Sequence, residues 1–538
     1  MERTLPLGSV YRGRGRCSFL AWAPAAQRVD LRILPPGGRI VTMQKLDCGY
    51  HGAEVDGVRS GSLYVYRLDG LIERPDPASR CQPAGPCGPS AIVDSRSAPN
   101  KDAWRGLALR EYVVAEPSGN DLSFGRIHSR LDGLSSLGFT ALRVPLRAGA
   151  PEQAGCASVA GFPFSVPRPP GGPAGLKRLV RACHRRGLAV MLAVDLFDPG
   201  IEGEPFVSFA PYFTGRRRRF NLDGPFSDEV RRYFIECVLS RFRETGTDAL
   251  DIGTVDGISD LSPLPLLEEM ACAVQDEAER IGRPLHLVAR SGRNDPRLIR
   301  RREDGGLGLG AVWDPDFEEA LHTFVRGVPE GADSDFGRLE HVQKAFLEGF
   351  VGSGGYSPTL RRRHGRSSRI LPGELFLACV RSAAAPEGQG PESTRAEKLL
   401  LACLFLSPFL PCVTADPKGR DRAAFVAGLI RMRRELRSRG LLDKQCMGVL
   451  GYDKERVLLV RHWKDDEDLI VIFHFGTRAS TVALPVPAGT WALRFDTADR
   501  RWNGPVSTLP ALVRGDGGDV PFFLPSLSCA VYLRQHGA

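Results

Sequence analysis

The stretch GLKRLVRACHRRGLAVMLAVDL, residues 175–196, decides the fold. Leu176, Leu179, Val180 and Cys183 recur at i, i+3, i+4 and i+7, which puts them on one apolar face of a helix. Gly187 stands where a left-handed C-terminal cap would end that helix. The run LAVMLAVDL follows at once. A short, wholly apolar run behind a helix reads as a strand of a parallel sheet buried on both faces.

The same unit recurs outward from this point. SDEVRRYFIECVLSRFRETG (227–246) has Ser227 as an N-cap, acidic residues in its first turn and Gly246 at its end, and it feeds TDALDIGTV. LHLVAR (285–290), LGAVWD (309–314) and LFLACVR (375–381) are further strand candidates. Strand–helix alternation from about 105 to 440 predicts a (β/α)8 TIM barrel rather than a doubly wound sheet.

The flanks change period. Residues 1–95 carry CSFLAWAP, RVDLRIL and GSLYVYRLDG, short alternating runs that predict an N-terminal β-sandwich of immunoglobulin-like type. The Pro-, Gly- and Ser-rich stretch RPDPASRCQPAGPCGPS (74–90) reads as an irregular linker. Residues 447–538 return to strands, among them RVLLVRHW, DLIVIFHFG and CAVYLRQ, and predict a C-terminal all-β domain, a second sandwich.

Composition sets the class. With 538 residues the chain is long enough for about two to four domains. It is 42% hydrophobic and 25% charged, as in a soluble globular protein. The net charge of +9 comes largely from scattered Arg, so nucleic acid is not the expected partner; Arg216–Arg219 and Arg361–Arg363 read as solvated loops without interleaved aromatics. None of the thirteen Cys forms a CxxC pair or has His partners at zinc spacing, so no metal site is expected. Cysteines inside apolar segments favour a reducing cytoplasm. The N-terminus lacks the apolar core of a signal peptide, and LLLACLFLSPFLPCV (399–413) is too short and Pro-broken to span a membrane.

Several stretches carry a resemblance. LAWAPAAQRVDLRI (20–33), RPDPASR with its downstream GPS, GGPAGLKRLVRACHRRGLAV (171–190), FAPYFTG (209–215), NDPRLIR (294–300) and LRFDTADRRWNGP (493–505) resemble the maltooligosyltrehalose trehalohydrolases of the α-amylase superfamily. The resemblance runs nearly end to end. It implies cleavage, at the C-terminal mouth of the barrel, of the α-1,4 bond beside a terminal trehalose unit, with no metal or organic cofactor.

Retaining glycoside hydrolysis needs two carboxyl groups about 5 Å apart. By the resemblance, the nucleophile is an Asp at 253 with an Arg at 251, and the acid/base is a Glu at 290. This chain has Gly253, Asp251 and Arg290. Asp251 shares a strand face with 253 but lies about 6.5 Å deeper, so it does not simply replace the nucleophile. A guanidinium hardly gives up its proton near neutral pH, so Arg290 is no general acid; it is available to pair with Asp251 or to bind an anion. The segment expected to hold the third carboxylate reads Ser382, Ala383 and Ala384. The third strand ends in Ala193, Phe197 and Asp198, and Ala157–Val159 and Asp416–Gly419 replace further sugar-contacting motifs.

The expectation is a pseudoenzyme with no catalytic residues. Asp251, Asp256 and Asp198 are its candidate mouth residues, with Asp256 more naturally a solvated or capping group. It would bind an α-glucan or an active homologue of the trehalose pathway, with Trp22, Tyr50, Tyr64 and Tyr66 as candidate sugar platforms, each more naturally a core residue. The alternative is an active trehalohydrolase with displaced carboxylates, for which Glu202, Glu204 and Glu387 are the acids nearby.

Overall fold

The computed structural model describes residues 6–36, 38–85, 87–96, 104–117, 122–146, 162–167, 171–197, 204–215, 219–327, 335–380, 391–414 and 420–535. Eight parallel strands close into a barrel. They are β1 (Val114–Glu116), β2 (Ala141–Pro145), β3 (Ala189–Ala193), β4 (Ala249–Thr254), β5 (His286–Arg290), β6 (Ala311–Asp314), β7 (Phe376–Val380) and β8 (Leu410–Thr414). Val114 pairs with both Ala141 and Cys412, which seals the ring between β1 and β8.

Helices α1 (Phe124–Leu137), α2 (Gly172–His184), α3 (Ser227–Thr245) and α4 (Leu266–Ile281) follow the first four strands. The opening stretch forms α2 and β3, and the four apolar residues of its helix face are all buried. Leu188 N donates to Cys183 O across Gly187, whose φ of +73° meets the left-handed requirement. Helix α3 departs from the expected start: Ser227 is its first residue, and Phe226 precedes it at φ +66° without a side-chain cap.

The second half of the barrel is less regular. Between β5 and β6 the chain makes two 3-10 turns, Pro296–Leu298 and Arg302–Asp304, in place of an α-helix. Two helices, α5 (Pro315–Arg326) and α6 (Leu339–Glu348), then follow β6; α7 (Pro391–Phe405) and α8 (Arg420–Ser438) follow β7 and β8.

Two antiparallel sheets precede the barrel. One joins Gly8–Gly13, Arg16–Trp22, Tyr50–Val55 and Gln44–Lys45; the other is built on Val29–Ile33 and Leu63–Leu68. Trp22, Tyr50, Tyr64 and Tyr66 lie in the core of these sheets, buried, with Phe19 edge-on to Tyr64 at 5.1 Å. They offer no face to a sugar, because ring area of this size is worth more in the core than in water. After the barrel, a six-stranded sheet and the pair Ser480–Pro485 with Asp519–Leu524 enclose a separate core around Trp491.

The segment expected to be a linker is a buried latch. Asp76 accepts hydrogen bonds from the Tyr64 hydroxyl (2.7 Å) and Ala78 N (2.8 Å). Tyr233 of α3 donates to Pro77 O (2.7 Å), and Arg80 forms a 2.9 Å ion pair with Glu244 of the same helix. Arg80 also donates to the carbonyls of Leu7 and Ala78. Its Pro and Gly residues shape a polar stretch that satisfies its own backbone against a helix. Arg80→Ala is expected to cost about 3 kcal/mol by leaving these acceptors unpaired. Limited proteolysis should then cut the first 95 residues much faster while the barrel core persists.

Candidate functional site

Strand β4 carries a buried carboxylate near each end. At the N-terminal end, Asp248 accepts from Trp104 Nε1 and Val190 N (2.8 Å each) and pairs with His184 Nε2 at 2.8 Å and with Arg283. Trp104 stacks on the His184 ring, so this end is plugged.

At the C-terminal end, Asp251 is 1% exposed and bound from two sides. Arg143 of β2 donates through Nε (2.9 Å) and Nη2 (2.8 Å) to its Oδ2. Arg290 of β5 donates through Nη2 to the same oxygen (2.9 Å). Arg143 also pairs with Glu116 of β1. Trp313 of β6 lies under both guanidiniums, 4.3 Å from Arg290 and 5.3 Å from Arg143. Burial alone would raise the Asp251 carboxyl, but the two arginines outweigh it and hold it below the ordinary aspartate value. Asp251 is therefore an ionised, structurally committed group.

Gly253 is fixed by its backbone. Its φ is +76°, its N–H reaches Asp251 Oδ1 at 3.3 Å, and the β4–β5 register shifts between Asp251 and Thr254. A Cβ built there falls 2.7 Å from Asp195 Oδ1 and 3.1 Å from Asp195 Cα. A side chain at 253 would thus be strained in φ and crowded as well.

Asp256 braces a loop. Its carboxylate accepts from the Ser291 hydroxyl (2.6 Å) and Gly292 N (2.8 Å), tying the end of β5 in place. Asp198, Ala384, Glu202 and Glu387 lie outside the described residues, as do Ala157–Val159 and Asp416–Gly419. Glu204 begins a short helical turn, Glu204–Val207.

At the mouth a cavity lies beside the C-terminal ends of β5 to β8. This cavity of about 550 Å3 is lined by Arg143, Arg290, Trp313 and Thr414, and by three carboxyl residues, Glu116, Asp314 and Glu318. Sequence reading did not single out those three. Asp314 and Glu318 carried a signal, since they straddle the end of β6 where α5 begins. Asp314 caps α5 by accepting from Phe317 N (3.3 Å), and its Oδ2 makes no hydrogen bond. Burial, reinforced by the negative charge of Asp316, pushes its carboxyl well above the ordinary value. No group of three or more His, Cys, Asp or Glu able to hold a metal occurs among the described residues, and no described helix is long and apolar enough to cross a membrane.

A closed parallel barrel between two antiparallel β-sheet units, with its open cavity at the C-terminal strand ends, is the architecture of α-amylase-type glycoside hydrolases. Solved structures agree in fold. A candidate alpha amylase from Salmonella typhimurium superimposes with a TM-score of 0.82 at 24% identity, covering 98% of this chain and 99% of that one. A pullulanase from Anoxybacillus, complexed with maltotetraose, gives 0.69 at 13% identity over 98% of this chain and 87% of its own.

Sequence relatives narrow the class. The malto-oligosyltrehalose trehalohydrolase of Saccharolobus solfataricus is 32% identical over 412 residues, 74% of this chain and 72% of its own length. That of Arthrobacter ramosus is 36% identical over 362 residues, 65% of this chain and 62% of its own. The chain belongs to the malto-oligosyltrehalose trehalohydrolase family. No family model matches it.

The electrostatics predict a pH signature. Because the folded pKa of Asp251 is depressed, its contribution to stability is present above the ordinary aspartate value and fades as pH falls through the folded pKa. Asp251→Asn should cost about 3–5 kcal/mol near pH 7 by leaving two guanidiniums without their anion. The difference in melting temperature from the parent should shrink below about pH 4.

Proposed function

We propose that this chain is a non-hydrolytic member of its family, retained to bind an α-glucan at the barrel mouth and to act as a regulatory or scaffolding protein in trehalose or glycogen metabolism. The observation that carries this reading is the backbone at Gly253. On the family pattern this position holds the nucleophile. Here the carboxylate is missing, the left-handed φ disfavours any side chain, and a Cβ would crowd Asp195.

The other two strand ends support the same reading. Arg290 stands where the acid/base is expected, and it has no proton to give near neutral pH. Where the resemblance places an Arg at 251 and a Glu at 290, this chain has Asp251 and Arg290, and the two form an ion pair between β4 and β5. Asp251 accepts from two guanidiniums, and its lone pairs are committed to them. An α-glucan ligand fits the open cavity and the maltotetraose complex of a structural neighbour.

One observation favours a second reading. Glu116, Asp314 and Glu318 line the cavity, and burial pushes the Asp314 carboxyl well above its ordinary value, the direction a general acid needs. Displaced carboxylates would then come from β1 and from the β6–α5 junction.

The purified chain is expected to release trehalose from maltooligosyltrehalose at least about 10⁴-fold more slowly than an active relative. Gly253→Asp should remain silent and lower the melting temperature. Retarded migration in glycogen-containing gels is expected. Trehalose release by the parent that Glu318→Gln or Asp314→Asn abolishes would establish the second reading instead.

A further inference from the structure

A second sizeable cavity lies at the other end of the barrel. It measures about 870 Å3 and opens where residues 107–113 lead into β1, Thr140 leads into β2 and the last turns of α8 meet the C-terminal sheets. Volumes of this order hold small organic ligands.

Its walls carry an unbalanced charge. Arg110, Arg433, Arg434, Arg437 and Lys464 face three carboxylates, Glu111, Glu374 and Asp443. Two of the three have local tasks: Glu111 Oε2 accepts from Ala108 N (3.2 Å), and Asp443 Oδ1 accepts from Gln445 N (2.9 Å). Arg433 is 2% exposed and is held by carbonyls alone, those of Phe405, Ser407 and Phe409, with no carboxylate partner among the described residues. A buried cation without a counter-anion is costly, so an anion that enters gains what the site lacks.

Two polar groups are left over as well. Arg437 Nη1 is buried and makes no hydrogen bond among the described residues, although Glu374, Arg110, Asp443 and Glu111 all surround it closely enough to act on its charge. The Tyr112 hydroxyl, on a side chain only 1% exposed, is also unpartnered among the described residues. Buried donors of this kind are ordinarily satisfied. Apolar wall is supplied by Leu107, Ile430, Leu441 and Leu442.

We propose that this basal cavity binds a phosphomonoester carried on a compact organic body, with Arg437 and Tyr112 as donors to the phosphate and the apolar wall against the body. A dianionic phosphate would offset the excess of two positive charges. The site is independent of the barrel mouth and of whether the chain hydrolyses anything. It would make the junction between α8 and the C-terminal sheets responsive to a metabolite.

Isothermal titration of the full chain with inorganic phosphate, glucose 6-phosphate and AMP tests this, with glucose and adenosine as uncharged controls. Saturable binding of one phosphorylated compound is expected, tighter than inorganic phosphate, absent for its uncharged control and weakened as salt rises from about 50 to about 500 mM. A preference for glucose 6-phosphate identifies a sugar body; a preference for AMP identifies a nucleoside. Arg437→Gln should weaken binding by about tenfold or more. Tyr112→Phe and the exposed Lys464→Gln should weaken it by a smaller factor, and Lys464→Gln should keep the parent melting temperature. No saturable heat up to about 10 mM would overturn the proposal, as would equal affinity for inorganic phosphate and both esters, or parent-like binding by Tyr112→Phe and Lys464→Gln together.

Discussion

The carboxylate of Asp251 is the constraint around which the barrel mouth is arranged. Taking it out of water costs several kcal/mol, and only opposing charges at close range offset that. Arg143 and Arg290 supply them from β2 and β5, Glu116 completes the chain of charges from β1, and Trp313 floors both guanidiniums. The arrangement ties four strands of the ring to one buried group. It also sets the chemistry available there: the Asp251 carboxylate and the guanidiniums of Arg143 and Arg290 face one another.

Each end of β4 is held this way, yet the two ends serve different purposes. Asp248 sits under a stacked Trp104–His184 pair and closes the floor of the ring. Asp251 leaves an open space beside it, and the left-handed Gly253 follows at once. Asp248 and Asp251, three positions apart, therefore mark a buried hydrogen-bond knot and a group beside an accessible cavity.

Much of the scaffold was legible in the sequence because its signals are local. The face of α2, the glycine that ends it and the apolar run of β3 are all encoded within about one helix-strand unit. The site was legible only in part. The strand-end residues stood out by their motif positions, whereas Arg143 lies 108 residues from its partner Asp251, and no periodicity reports such a pair. The aromatic residues Trp22, Tyr50, Tyr64 and Tyr66 take the core role that is commoner for such rings, though composition alone does not distinguish a buried ring from a displayed one. Residues 74–90 are irregular, as their Pro and Gly signal, but reading them as a linker missed that irregular backbone can also be buried.

The latch at Asp76–Arg80 has a consequence for descent. Among the described residues its hydrogen bonds and ion pair run to packing partners such as Leu7, Tyr64, Tyr233 and Glu244 rather than to Asp251 or Arg290 at the mouth. Much of what makes the lineage recognisable is thus written in its joinery. Selection on foldedness alone preserves those letters, so a surname can be inherited faithfully long after the trade it once described has been free to change.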